Sequence, residues 1–128
     1  MGTIVVDGNN VMGAAADGWW RDPPAAVRRL LRRLQCYAGG RGDDVVLVLD
    51  RPQPELPEGD HGGVTVRYAT RRGRDAADDR IRELVAEMGD DEVAVVTSDR
   101  ALRADVAARG ISVTGAGTFL GQLEAAGC

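Results

Sequence analysis

An α/β fold with a mostly parallel sheet is predicted from three observations. Short Val-rich runs alternate with amphipathic helical patterns along the whole chain. The strongest of these runs, I-V-V, V-V-L-V-L and V-A-V-V, lack period-2 alternation, as strands buried on both faces do. Three of the runs lead into an aspartate: Asp7, Asp50 and, after Thr97 and Ser98, Asp99. In open α/β sheets ligands bind beyond the carboxyl ends of the strands, where these aspartates stand.

Five strands are expected, at Thr3 to Val6, Val45 to Leu49, Val64 to Ala69, Val93 to Thr97 and Ile111 to Thr114. Asp7-Gly8-Asn9-Asn10 follows the first strand and reads as a tight turn. The first helix starts at Asp22-Pro23-Pro24, an N-cap followed by first-turn prolines, and is expected to stop before Gly39-Gly40. Its apolar stripe is Val27, Leu30, Leu31, Leu34 and Ala38, with Arg28, Arg29, Arg32 and Arg33 opposite. A second helix is expected from Arg74 to Met88, carrying Ala77, Ile81, Leu84, Val85 and Met88 inward. At 100° per residue Asp78 lies at the rim of that face and Asp79 nearly opposite its centre. A third helix is expected from Arg100 to Arg109, with Asp99 at or near its N-cap, and a short fourth over Thr118 to Ala126. The segment Arg51 to Gly63 has three prolines and no periodicity, and is expected to be a loop.

The 128 residues fit a single domain spanning 1–128. Hydrophobic content of 44% with 28% charged residues suits an independently folding globular chain. No apolar run approaches the ~18 residues of a membrane span, and no basic leader precedes the first strand, so a soluble, cytoplasmic protein without a membrane partner is expected. Cys36 and Cys128 lack metal-binding spacing and are expected to be reduced structural thiols. All 16 cationic side chains are Arg, so every mechanism requiring a lysine is excluded. The net charge of −4 argues against nonspecific polyanion binding; a nucleic-acid partner needs local basic patches.

Any one strand-end aspartate has a structural explanation, since Asp caps helices and opens turns. Convergence is what points to chemistry. Neighbouring parallel strands and a flanking helix bring Asp7, Asp50, Asp78 and Asp99 to one crevice, where carboxylates repel unless a cation or raised pKa values relieve them. Mg²⁺ takes oxygen ligands and keeps waters, which suits this donor set. Asn9 and Asn10 offer amides, and Thr97 and Ser98 hydroxyls, to a phosphate oxygen, with helix capping the competing role for the hydroxyls. Arg71, Arg72 and Arg74, just before the acidic stretch, and Arg100 after Asp99 would steer a phosphate backbone. The adjacent Trp19 and Trp20 offer a base-stacking surface near the Asp7 turn, with core packing the alternative for one of them.

The ordered motifs V-V-D-G-N-N, V-L-D-R, A-D-D-R-I and V-V-T-S-D-R-A-L-R resemble the NYN domain family in its YacP-like branch, related to PIN-domain ribonucleases. The resemblance implies a Rossmann-like, PIN-like sheet flanked by helices on both faces and a metal-dependent endoribonuclease site. By motif it implies Asp7 as the first-strand ligand, Asn10 as its polar companion, Asp78 and Asp79 as the helix-borne pair, and Asp99 as the last ligand. Asp50 matches less closely, because Arg51 and Pro52 follow it. The implied reaction is Mg²⁺- or Mn²⁺-assisted phosphodiester hydrolysis of an RNA, be it mRNA, tRNA or ribosome-associated. Asp7 and Asp99 would hold one ion, with Asp78 or Asp79 completing that shell or helping to hold a second ~3.5–4 Å away. The alternative from another class is a noncatalytic RNA-binding or ribosome-associated adaptor. The negative net charge also motivates a homodimer, in which a second subunit supplies basic surface. An aspartyl-phosphate phosphatase is disfavoured because Asn9 stands where its second Asp belongs, and a phospho-receiver because the chain has no lysine.

Overall fold

A run of valines flanked by valines of other strands leaves no face for water, and the sheet is built on that arrangement. The structure, a computed structural model, describes residues 2–73, 75–89 and 92–128. In chain order the elements are β1 (Thr3–Asp7), α1 (Gly8–Ala14), α2 (Pro23–Arg41), β2 (Asp44–Leu49), β3 (Gly59–His61), β4 (Val64–Tyr68), α3 (Ala76–Met88), β5 (Val93–Val96), α4 (Arg100–Ala108), β6 (Ser112–Thr114) and α5 (Ala116–Ala125). The sheet order is β3-β4-β2-β1-β5-β6, parallel throughout except for β3. The chain winds outward from β1 through β2 to β4, then returns to β5 and β6 on the other side. The order therefore reverses at β1 and β5, and a crevice opens there at the carboxyl edge.

Helices cover both faces. Val45, Leu47 and Leu49 of β2 pack with Leu30, Leu34 and Tyr37 of α2, Val11 and Met12 of α1, and Phe119 and Leu123 of α5. Val46 and Val48 face the other way, with Val5 and Val95, against Ile81, Leu84 and Val85 of α3 and Leu102 and Val106 of α4. Burial of both faces is what made these strands read as continuous apolar runs. Among the described residues no helix is long and apolar enough to cross a membrane.

The α/β class and mostly parallel sheet stand, with one strand more than expected. Within the Arg51–Gly63 segment, Gly59–His61 pairs antiparallel with β4 through a two-residue turn at Gly62 (φ +63°) and Gly63 (φ +90°). Positive φ at both positions is the requirement that glycine meets in a tight hairpin. Three prolines upstream masked that signal. The rest of the segment is tied to Tyr68, whose hydroxyl donates to the Leu56 carbonyl and whose backbone N–H donates to Glu58 at 2.8 Å.

Two helix boundaries differ as well. α2 runs through Gly39-Gly40 to Arg41 and stops at Gly42, which takes the left-handed conformation at φ +76°. The glycines weaken the helix without ending it, because Tyr37 and Ala38 are held in the core. The expected turn at Gly8-Asn9-Asn10 is the first turn of α1. Gly8 serves close approach: a Cβ there would lie 2.7 Å from Leu49, 2.8 Å from Leu47 and 2.9 Å from the Val48 carbonyl. Arg74, expected to open α3, lies outside the described residues.

The cysteines correct the sequence reading. Cys36 of α2 and Cys128 form a disulfide across 92 residues of sequence. Spacing could not reveal it, because the pair becomes adjacent only when α5 docks beside α2. The Cys128 carbonyl also accepts from Arg33 Nε at 3.0 Å, so the last turn is fastened to α2 twice. A link closing so long a loop restricts the unfolded chain. Cys36→Ser should lower the unfolding free energy by roughly 2–4 kcal/mol in denaturant titration, and dithiothreitol should reproduce the loss in the unmutated protein. Gly8→Ala should cost about 1–3 kcal/mol in the same titration, since the new methyl meets backbone and two core leucines.

Candidate metal centre

Parallel pairing in register puts the ends of β1, β2 and β5 side by side. Val6 pairs with Leu47 and Val96, so Asp7, Asp50 and the Thr97–Asp99 segment leave the sheet together. α3 brings the fourth wall, because its first turn crosses this edge. Asp7, Asn9, Asn10, Trp19, Asp50, Asp75, Asp78 and Asp99 line one cleft of about 390 Å³.

Side chains lock the strand ends to one another. Asn9 Oδ1 accepts from the Asp50 N–H at 3.0 Å, joining β1 to β2. Asn10 Oδ1 accepts from the Ser98 N–H at 2.7 Å, joining β1 to β5. The Thr97 hydroxyl, fully buried, donates to Asp7 Oδ2 at 2.9 Å and accepts from the Asp99 N–H at 3.1 Å. Ser98 Oγ accepts from the Ala116 N–H at 2.8 Å, which anchors the start of α5. Asp99 caps α4 through the Leu102 N–H at 2.9 Å while keeping a second carboxylate oxygen. The four polar residues expected to meet substrate thus each hold the backbone around the cleft.

Carboxylates crowd what remains. Asp75, Asp78 and Asp99 each place an oxygen within 4.8 Å of the other two. Asp75 was not singled out from sequence, although D-A-A-D sets it three residues before Asp78, on the same side of a helical turn. It sits at φ +62°, in the left-handed region that aspartate tolerates better than most residues. Asp7 is only 4% exposed. Burial raises its pKa from 3.8 to about 6, against the hydrogen bond from Thr97, and the charges of Asp99 and Asp50 push the same way as burial. Asp78 is likewise raised to about 6, first by burial and then by Asp7, Asp99 and Asp75.

Asp79 is placed elsewhere. Its carboxylate accepts from Arg71 and from Arg82 Nη1 at 3.0 Å, and these bonds lower its pKa. Helical geometry separates it from Asp78, which turns inward. Arg71 and Arg72 line an adjoining hollow of about 740 Å³ with Arg51, and Asp50 and Gly73 border both cavities. Arg100 is exposed on the first turn of α4.

The family model of the YacP-like NYN domain matches residues 4–127. The chain belongs to the YacP-like NYN domain family. The fold of this NYN domain is similar to that of Rae1 (YacP) from Bacillus subtilis, with a TM-score of 0.77 and 24% identity over 98% of this chain and 75% of that one. A point mutant of the same protein superimposes with a TM-score of 0.75 and 23% identity, over 98% of this chain and 77% of that one. No curated protein matches the sequence. Family and likeness together give the YacP-like NYN fold, and the Asp75, Asp78 and Asp99 group of this domain could hold a metal ion.

A raised carboxylate pKa means that the folded state holds a proton the unfolded state releases. For Asp7 the shift from 3.8 to about 6 makes its ionisation in the metal-free protein cost about 3 kcal/mol above pH 6. That cost is relieved as pH falls from 6 towards 3.8. In EDTA, Asp7→Asn should therefore be more stable than the unmutated protein by about 1–3 kcal/mol at pH 7.5, and the difference should vanish near pH 4. Paired denaturant titrations at the two pH values measure it.

Proposed function

We propose that this NYN domain, a single domain across the chain, is a metal-dependent endoribonuclease that hydrolyses RNA phosphodiester bonds in the carboxyl-edge cleft. The observation that carries the reading is the meeting of Asp75, Asp78 and Asp99 within 4.8 Å beside the buried Asp7. Uncompensated charge at that density is expensive, and two pKa values near 6 register the expense. An all-oxygen donor set without His or Cys suits Mg²⁺ or Mn²⁺. Asp75, Asp78 and Asp99 would hold the ion, with Asp7 behind them and Asp50 at the border. When bound, such an ion supplies Lewis-acid polarisation of the phosphate and lowers the pKa of an attacking water.

The chain's own groups do the rest. Thr97 donates to the Asp7 carboxylate and accepts from the Asp99 backbone N–H through one hydroxyl, so it ties the Asp7 side chain to the backbone that carries Asp99. Asn9 and Asn10 hold the three strand ends at fixed separation. Arg51, Arg71 and Arg72 border the approach from the neighbouring hollow, where guanidinium groups suit a phosphate backbone. Asp79 positions Arg71 through their ion pair. RNA as substrate favours the cytoplasm, whereas the disulfide is a bond that reducing compartments disfavour.

The deciding experiment is cleavage of a labelled single-stranded and a hairpin RNA in Mn²⁺, Mg²⁺ or EDTA, with Asp99→Asn alongside. Asn keeps the cap on α4, so that variant should fold while losing at least a hundredfold in rate. Cleavage should require metal, and the metal concentration it needs should rise as pH falls through about 6, because protons taken up by Asp7 and Asp78 in the metal-free site oppose cation binding. RNA bound but uncut in every metal would instead mark a noncatalytic adaptor.

A further inference from the structure

The chain has only two tryptophans, and they are consecutive. Trp19–Arg21 forms a 3₁₀ turn, opened by Gly18 at φ +76° and closed by Arg21 N–H to the Gly18 carbonyl at 3.0 Å. Asp22 ends the turn and caps α2 through the Ala25 N–H, so the pair is mounted on the start of a nineteen-residue helix. Side chains of successive residues in a 3₁₀ turn diverge by about 120°. Accordingly Trp19 rests half-buried against the core and lines the acidic cleft beside Asp7, while Trp20 points away and is 60% exposed. Among the described residues Trp20 is the one large hydrophobic side chain left exposed. The Arg21 guanidinium stands 5.8 Å from its ring centroid.

The cleft that Trp19 lines is walled by Asp7, Asp50, Asp75, Asp78 and Asp99, so without a bound cation it repels a phosphate backbone. Stacking is indifferent to the sign of nearby charge, and every base offers a ring face. We propose that Trp19 and Trp20 are base-stacking positions that make unpaired RNA the substrate of this cleft: Trp19 receives the base beside the scissile phosphate, and Trp20 the next base outside. Bases within a duplex already stack on one another and have no face to give. The inference rests on the reading of the cleft as an RNA site.

Binding is measured in EDTA, so that no metal-dependent turnover intervenes. The probes are a labelled eight-nucleotide RNA, its blunt duplex, and an abasic oligonucleotide of the same length. The single strand should bind at least tenfold more tightly than either other probe and should quench indole emission. Trp20→Ala, an exposed position, should weaken it by about five- to a hundredfold. Trp19→Leu, which keeps an apolar side chain against the core but has no ring face, should lose as much, with thermal melting confirming that it folds. Equal affinity for the abasic probe, or unchanged affinity in either folded variant, overturns the inference. Stacking without cleavage in Mn²⁺ would remove only the nuclease reading. Cleavage whose KM is unaltered by Trp20→Ala would remove only the stacking.

Discussion

Charge repulsion at the carboxyl edge of the sheet is the constraint on which the rest of the molecule depends. Four aspartates, Asp7, Asp75, Asp78 and Asp99, converge from two strands and a helix, and Asp7 is almost fully enclosed. Left alone, such charges would push the strand ends apart. The surrounding hydrogen bonds oppose that: Thr97 to both Asp7 and Asp99, Asn9 to the β2 end, Asn10 to the β5 end, and Ser98 to α5. Asn9, Asn10, Thr97 and Ser98 each hold backbone around the cleft through a side-chain oxygen, while carboxylate oxygens of Asp75, Asp78 and Asp99 face one another within it.

The topology makes that convergence attainable. Because the winding reverses between β1 and β5, the α1 and α3 helices leave the edge on opposite faces and a gap stays open between them. Gly8 permits α1 to start at once over β2, where any larger residue would collide with Leu47 and Leu49. The valine-rich strands then supply rigidity, since both faces are buried under helices and the register cannot slip without exposing a row of apolar side chains.

Charge is also sorted around the site. Asp79, one position after Asp78, faces Arg71 and Arg82 and is held ionised, whereas Asp78 faces the other acids and is pushed towards neutrality. One helical step thus separates a carboxylate that orders arginines from one that could bind a cation. A net charge of −4 coexists with an arginine-bordered hollow because the two signs occupy different walls of one edge.

The sequence by itself determined the α/β class, the parallel central strands and the acidic edge. Those features follow from local rules: apolar runs specify buried strands, and residues at strand ends share an edge in any parallel sheet. Helical periodicity likewise separates Asp78 from Asp79. Tertiary structure decided what depends on distant segments meeting. Cys36 and Cys128 pair only because α5 docks on α2, the side-chain carbonyls of Asn9 and Asn10 are taken by strand ends about forty and ninety residues away, and Asp75 joins the cluster only because α3 crosses the sheet edge. No periodicity encodes such contacts, since they are fixed by packing of the whole core and not by spacing along the chain.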